Sequence, residues 1–141
     1  MKAASIKKRM AARLSAVQSL FASNFSGEGM PIALDLLLNE QGLSPHYDET
    51  LRNALIADVC ANKSQYEAMI NAQLNKKSLD MMTPLLACLL ICGVSELATH
   101  PDTDTAVIIS SYISLGEEFF DEKHMHLINA ILDNVAKIIR V

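Results

Sequence analysis

The chain has 141 residues, half of them apolar, a formal net charge of −4 and three cysteines. This length suits one domain with a substantial core, and three cysteines in no framework spacing exclude a disulfide-stapled secreted scaffold and indicate a reduced, cytoplasmic protein. The longest apolar run, residues 81–94, falls short of the roughly 20 residues that span a bilayer, so no membrane insertion is expected.

Turn residues and apolar spacing divide the first half into helices. A first helix is predicted over about 6–24 and a second over about 31–41, separated by a stretch rich in glycine and proline. A third follows from the recurrence of Leu51, Leu55 and Val59 at every fourth position. Ser64 and Glu67 have capping-box spacing and predict the start of a fourth.

The sequence of the second half predicts three more helices. Thr83 and Pro84 are typical of an N-cap and first helical position, so a helix is expected from Pro84 to Ala98. Residues 105–115 have strand-like composition, but their three-four apolar spacing and the lack of a second strand candidate favour a helix. The last helix is predicted from about 123 to the C-terminus. Its apolar stripe consists of Leu127, Ile128, Ile131, Leu132, Val135, Ile138 and Ile139. An all-α bundle of about seven helices is the predicted fold.

Positive charge is concentrated in the first helix. From residue 14 onward there are 7 basic and 16 acidic residues, a net charge of −9, whereas the first 13 residues contain basic residues and no acid. A cationic strip on an anionic body is typical of a polyanion-binding surface, and the alternative is a solvated helix face that only aids solubility. The basic residues before position 14 are Lys2, Lys7, Lys8, Arg9 and Arg13.

The sequence contains little that is typical of catalytic or metal-binding sites. The five glycines form no phosphate-binding loop. Cys88 and Cys92 lie four apart in an apolar helix and are predicted to be buried, reduced and metal-free. His124 and His126 have no third ligand at a recognisable interval. The acids around Phe119 and Phe120 are predicted to keep the loop before the last helix soluble and to favour that helix's positive N-terminus. No cofactor and no enzymatic activity are expected.

Three segments carry a resemblance to a known family. Residues 9–21, RMAARLSAVQSLF, resemble the opening R-x-x-A-R-x-x-A-V-Q-x-L-[YF] of the NusB family of transcription antitermination factors. Residues 128–133, INAILD, are similar to its V-N-[GA]-V-L-D, and residues 90–97, LICGVSEL, stand where the family has L-R-L-A-x-Y-E-L. The three segments occur in the family's order and spacing, over essentially the whole chain.

The resemblance implies two packed three-helix subdomains, here about 1–75 and 76–141. It also implies an RNA-binding adaptor that recognises single-stranded boxA RNA in ribosomal RNA transcripts, together with the ribosomal protein NusE in the RNA polymerase antitermination complex. The RNA-binding residues expected are Lys7, Lys8, Arg9, Arg13, Gln18, Lys123, His124, His126 and Leu127. The partner-binding residues expected are Leu86, Glu96, Glu117 and Glu118. The sequence leaves homodimer formation open.

Several positions depart from the family pattern and motivate an alternative function. The substituted positions are Ile91, Ser95, Ser111 and Leu127. Because they replace a cation, aromatic rings and a polar residue, the alternative is a helical protein-interaction module that has lost specific RNA recognition. A third possibility is a fragment of an enzyme, since a similar domain precedes the catalytic part of some ribosomal RNA cytosine methyltransferases. This chain has no room for a cofactor-binding sheet, so an enzyme is not expected.

Overall fold

The computed structural model describes residues 3–26, 47–74 and 82–140, and all regular structure in these ranges is helical. The helices are α1 (Ala3–Ser26), α2 (Glu49–Asn71), α3 (Pro84–Thr99), α4 (Thr105–Glu117) and α5 (Glu122–Ile139). The predicted all-α class is confirmed. No helix in the described part of the chain combines the length and apolar character that a membrane crossing requires.

The predicted count of about seven helices is corrected to five for the described residues. The predicted second helix, about 31–41, lies outside them. The predicted third and fourth helices are one element, α2, with a kink at Asn62, whose φ of −126° and ψ of 16° are not helical. The Asn62 amide donates to Asp58 Oδ1 at 2.8 Å. Asparagine is a weak helix former, which fits a break at this position, two residues before the predicted capping box.

The chain forms two compact units, Met1–Ala57 and Asp58–Val141. The predicted division into two three-helix subdomains near residue 75 stays a prediction. In the first unit, α1 buries one stripe of small and apolar side chains, and Asp48 caps α2 by accepting from the Leu51 backbone N–H at 3.0 Å. The Asp48 backbone N–H donates to the Lys8 carbonyl at 3.0 Å, which ties the start of α2 to α1.

In the second unit, α3 is buried on almost every side and packs against both α4 and α5, which also pack against each other. Close approach of α3 and α5 depends on Gly93, because a Cβ there would lie 2.9 Å from Leu132 Cδ2. The apolar stripe predicted for the last helix is confirmed in its middle, while Ile138 near its end is 56% exposed. The buried members of that stripe are Ile128, Ile131, Leu132 and Val135.

Two polar contacts in this unit join segments far apart in sequence. Asp58 Oδ2 on α2 accepts from the Ser95 hydroxyl on α3 at 2.7 Å and from the Tyr66 hydroxyl at 2.6 Å. Burial and this carboxylate together raise the pKa of Tyr66. After α5, the Arg140 guanidinium donates to the carbonyls of Leu97, His100 and Thr103 at 3.0, 2.7 and 2.6 Å. This cation lies at the C-terminal end of α3, where positive charge is favourable, and it ties the end of α5 to the last turn of α3 and to the loop that follows.

The predicted burial of Cys88 and Cys92 is confirmed. Cys88 and Cys92 are buried in α3, Cys60 is exposed on α2, and all three are free thiols. Burial is the largest of the causes that raise the pKa of Cys92, followed by Cys88 and Glu96 on the same helix. Both buried cysteines therefore serve as small core side chains.

Candidate nucleic-acid interface

The basic segment, residues 7–9, lies in the first half of α1. This helix contains no glycine, proline or acid, and its many alanines favour helix formation. Ala12, Ala16 and Leu20 recur at fourth positions and are buried. The side chains of Lys7 and Lys8 are exposed, and Arg9 is half-buried. Gln18, further along the helix, is also exposed.

Arg13 differs from the basic segment, because it is only 3% exposed. Its Nη1 lies 3.5 Å from Met10 Sδ, one helical turn earlier. A buried guanidinium contributes packing through its aliphatic stem as well as charge. RNA contact through Arg13 stays a prediction, and its burial favours a structural role for the second arginine of the motif.

The remaining predicted RNA residues lie in the junction segment, residues 117–127, which links α4 to α5. The link is short because the Gly116 carbonyl accepts from both the Phe119 and Phe120 backbone N–H groups, at 3.0 and 2.8 Å. A Cβ on Gly116 would lie 2.9 Å from both Met125 Cε and Ile128 Cδ1. Glycine at this position therefore lets the turn lie directly against the first turns of α5.

Asp121 organises the start of α5. Its Oδ1 accepts from the His124 backbone N–H at 3.2 Å and lies 2.6 Å from His124 Nδ1. These hydrogen bonds, the side-chain bond first, lower the pKa of Asp121, which is therefore an anion at neutral pH. An anionic acceptor requires the hydrogen to be on Nδ1, so this contact selects both the tautomer and the orientation of the imidazole.

Three rings adjoin one another in the same turn. The Phe120 and His124 rings are 5.2 Å apart between centroids and tilted by 31°, and the Phe119 and Phe120 rings meet edge to face at 6.3 Å. Lys123 and His126 are exposed beside them, and Leu127 is half-buried. The structure thus brings together Lys123, His124, His126 and Leu127. The two phenylalanines were not predicted as site residues, although adjacent aromatics are conspicuous in a chain with only 5% aromatic residues.

The predicted partner-binding residues fall into two groups. Leu86 and Glu96 are core residues of α3, 3% and 1% exposed, and Glu96 Oε1 accepts from the buried Tyr112 hydroxyl at 2.9 Å. Glu117 and Glu118 are exposed at the end of α4, within the junction segment. Partner contact stays a prediction for all four, and only the second pair presents its side chains to solvent.

The positions that depart from the family pattern are mostly structural here. Ile91 is 4% exposed, Ser95 is fully buried and bonded to Asp58, and the Ser111 hydroxyl donates to the Val107 carbonyl at 2.7 Å. Among the described residues, no group of three or more His, Cys, Asp or Glu side chains is arranged to hold a metal ion.

A model of the NusB family matches residues 10–137. The chain belongs to the NusB family. It is similar to the transcription antitermination protein NusB of Bartonella henselae, at 34% identity over 95% of this chain and 90% of that protein. It is also 32% identical to NusB of Brucella abortus, over 94% of this chain and 82% of the relative.

Solved NusB structures have the same fold. T. maritima NusB matches with a TM-score of 0.77 at 27% identity, over 92% of this chain and 90% of that one. A structure described as antitermination factors NusB and NusE in complex with dsRNA matches with a TM-score of 0.79, over 94% of this chain and 98% of that one. At 19% identity, the second match establishes likeness of fold alone. The predicted family is thus confirmed, and the all-helical fold is similar to that of solved NusB structures.

Proposed function

We propose that this protein is a cytoplasmic transcription antitermination factor that binds single-stranded boxA-type RNA together with a NusE-like ribosomal protein, as part of an RNA polymerase complex. It acts by binding rather than by catalysis. Membership of a family whose curated relatives are named transcription antitermination proteins supports this function. The observation that carries the RNA-binding part is the exposed, acid-free basic segment of α1.

The exposed residues predicted to bind RNA and those predicted to bind the partner offer different chemistry. Lys7 and Lys8 are exposed cations suited to phosphate oxygens, which supply most of the affinity of a protein for nucleic acid. Glu117 and Glu118 are exposed carboxylates suited to a basic ribosomal protein, because complementary charge steers such partners into contact. RNA and the ribosomal partner are therefore expected to bind together rather than to compete.

The test is a titration with boxA RNA and a scrambled control at several salt concentrations. The variant Lys7→Ala/Lys8→Ala should weaken binding and flatten the plot of log affinity against log salt by about 1.4, because each single-strand phosphate contact contributes about 0.7 to the slope. The matched control is Lys63→Ala/Lys137→Ala, which removes the same charge from exposed positions on α2 and α5. It should reduce the slope much less.

Two results would decide against the proposal. An unchanged slope in the Lys7/Lys8 variant would remove the basic segment from the RNA site. Equal affinity for boxA and scrambled RNA, with NusE binding intact, would favour the protein-interaction module instead.

A further inference from the structure

Tyr47 is an aromatic residue that lies beside the basic segment, within the first compact unit. The backbone N–H of the next residue, Asp48, donates to the Lys8 carbonyl at 3.0 Å. Standard backbone dimensions then place the Tyr47 and Lys8 Cα atoms no more than roughly 8 Å apart. The tyrosine ring and the lysines of the basic segment are therefore within reach of one short stretch of RNA.

No other ring described in this unit lies so close to the basic segment. Among the aromatic side chains that the structure describes here, the alternative is Phe21, which follows Lys8 on α1 at a distance of about 20 Å along the helix axis. Proteins that bind single-stranded nucleic acid combine cations along the backbone with aromatic rings on which bases stack. The basic segment supplies the cations, and Tyr47 supplies a ring beside them.

The Tyr47 ring is held by a buried cation. Arg52 Cζ lies 5.7 Å from the centroid of the ring, within the range of a cation–π contact. Arg52 is only 3% exposed, and its Nη1 donates to Asn53 Oδ1 at 2.8 Å, so the guanidinium is itself fixed. Tyr47 is half-buried, which leaves part of its surface open to solvent. A ring that is ordered before binding loses less entropy when a ligand contacts it.

The charges next to Tyr47 indicate which part of the RNA meets the ring. Asp48 and Glu49 follow Tyr47 directly, and their carboxylates repel phosphates. The faces of bases carry no formal charge and stack on aromatic rings. Phosphates are therefore expected at Lys7 and Lys8, and a base is expected at Tyr47.

We propose that Tyr47 stacks one unpaired base of the RNA whose phosphates the basic segment binds. This inference rests on the proposed function and extends it, because it assigns a base contact within the same unit that binds the phosphates. Tyr47 lies outside the three segments that resemble the NusB family, so those motifs give it no role.

The test compares two replacements of the same ring. Tyr47→Leu removes the ring face and should weaken boxA RNA binding by about tenfold, which is typical for the loss of one stacked base. Tyr47→Phe keeps the ring face and should bind within about twofold of the unaltered protein. Neither variant should change the slope of log affinity against log salt, because no phosphate contact is lost. The control Thr50→Ala, at an exposed position in the first turn of α2, should leave affinity unchanged.

Nuclear magnetic resonance of labelled tyrosine rings gives a direct readout in the unaltered protein. The chain has three tyrosines, and Tyr66 and Tyr112 are buried in the second unit. On saturation with boxA RNA, the Tyr47 ring signal should shift while the other two stay nearly constant. Tyr47→Phe identifies the signal, because it removes that resonance alone.

A set of RNAs, each lacking one base, then locates the contact. At one position, loss of the base should weaken binding to the unaltered protein about tenfold but have little effect on Tyr47→Leu. Such non-additivity identifies groups that touch each other. If every base deletion weakened both proteins equally, the stacking proposal would be overturned while the proposed function would stand.

Three further outcomes keep the conclusions separate. If the unaltered protein did not bind boxA RNA at all, the proposed function would fail and this inference with it. A flattened salt slope in Tyr47→Leu would show that the replacement disturbs the basic segment, and only this inference would fail. If circular dichroism showed Tyr47→Leu to be unfolded, the ring signals of the unaltered protein would decide, since an unmoved Tyr47 signal at saturating RNA excludes a stacked base.

Discussion

The basic segment of α1 and the junction segment between α4 and α5 were both predicted to contact RNA, yet they carry opposite charge. Residues 7–9 are three successive cations on a helix without a single acid. The junction segment holds four carboxylates, one lysine and the adjoining rings of Phe119, Phe120 and His124. Two surfaces so different cannot bind the same chemical group. The basic segment suits phosphates, and the carboxylates of the junction segment suit a basic protein.

Cationic side chains in this protein serve either ligand binding at the surface or the stability of the fold. Lys7 and Lys8 are exposed and available to a ligand, whereas Arg13 is buried and Arg140 donates to three backbone carbonyls. A count of basic residues in the sequence does not distinguish the exposed cations from the buried or hydrogen-bonded ones. Burial decides which of them a polyanion can reach.

The largest expected effect is the loss of stability on replacing Arg13. It tests whether Arg13 is a structural residue rather than part of the exposed basic surface of α1. Arg13→Ala should lower the free energy of unfolding by about 2–4 kcal/mol, because removing a buried charged side chain loses its packing and its polar contacts together. Urea unfolding followed by circular dichroism measures this. Lys8→Ala, at an exposed position on the same helix, should change stability by less than about 0.5 kcal/mol.

The RNA affinity of Arg13→Ala, measured at a temperature where it remains folded, completes that test. Unchanged stability together with a flattened salt slope would show that Arg13 contacts RNA directly and that its burial here is not its state in the complex.

Much of the fold follows from local pattern, and the exceptions depend on long-range contacts. The stripe containing Ile131 and Val135 and the burial of Cys88 and Cys92 were predictable, because apolar side chains at helical spacing must face a core. The kink at Asn62 was not, since the apolar period continues across it and does not show a local change in backbone angles. The contacts of Ser95 with Asp58 and of Arg140 with Leu97 span 37 and 43 residues, and no periodicity reports them.

The candidate site was predictable in part for the same reason. Charge density identified the basic segment, and motif spacing identified the junction segment, but neither shows exposure. The expected roles of Arg13, Leu86 and Glu96 assumed accessible side chains, and the structure buries all three. The acids around Phe119 and Phe120 are predicted only to keep the loop soluble. The sequence therefore does not indicate that the two phenylalanine rings adjoin His124.

An effect of intermediate size is expected on RNA affinity when the negative charge of the junction segment is reduced. Glu117→Gln/Glu118→Gln changes the charge of residues 117–126 from −3 to −1, so RNA affinity at low salt should rise a few-fold. Association with a basic ribosomal partner should slow in the same variant, because steering by complementary charge acts on the association rate. Stopped-flow fluorescence with labelled RNA and labelled partner measures both.

The control for this pair is Asp102→Asn/Asp104→Asn, an equal charge change at exposed positions at the other end of α4, roughly 20 Å away at 1.5 Å per residue. If both variants raised RNA affinity equally, only net charge would matter. The distinction between the two surfaces would then be lost.

The smallest expected effect concerns Asp121, which orients the His124 ring at the start of α5. Its pKa is lowered in the folded protein, mainly by the His124 side chain, so its contribution to stability is present above the ordinary carboxyl pKa of about 3.9 and is lost as pH falls through the folded value. Asp121→Asn keeps an N-capping oxygen but removes the charge. The variant should therefore melt slightly below the unaltered protein at about pH 6, and the gap should close toward about pH 3. Thermal melting across this range, with Asp102→Asn as a control at an exposed position, isolates the effect. A gap that stayed constant with pH would mean that the carboxylate charge does not hold His124, and the preorientation of the imidazole by Asp121 would have to be abandoned.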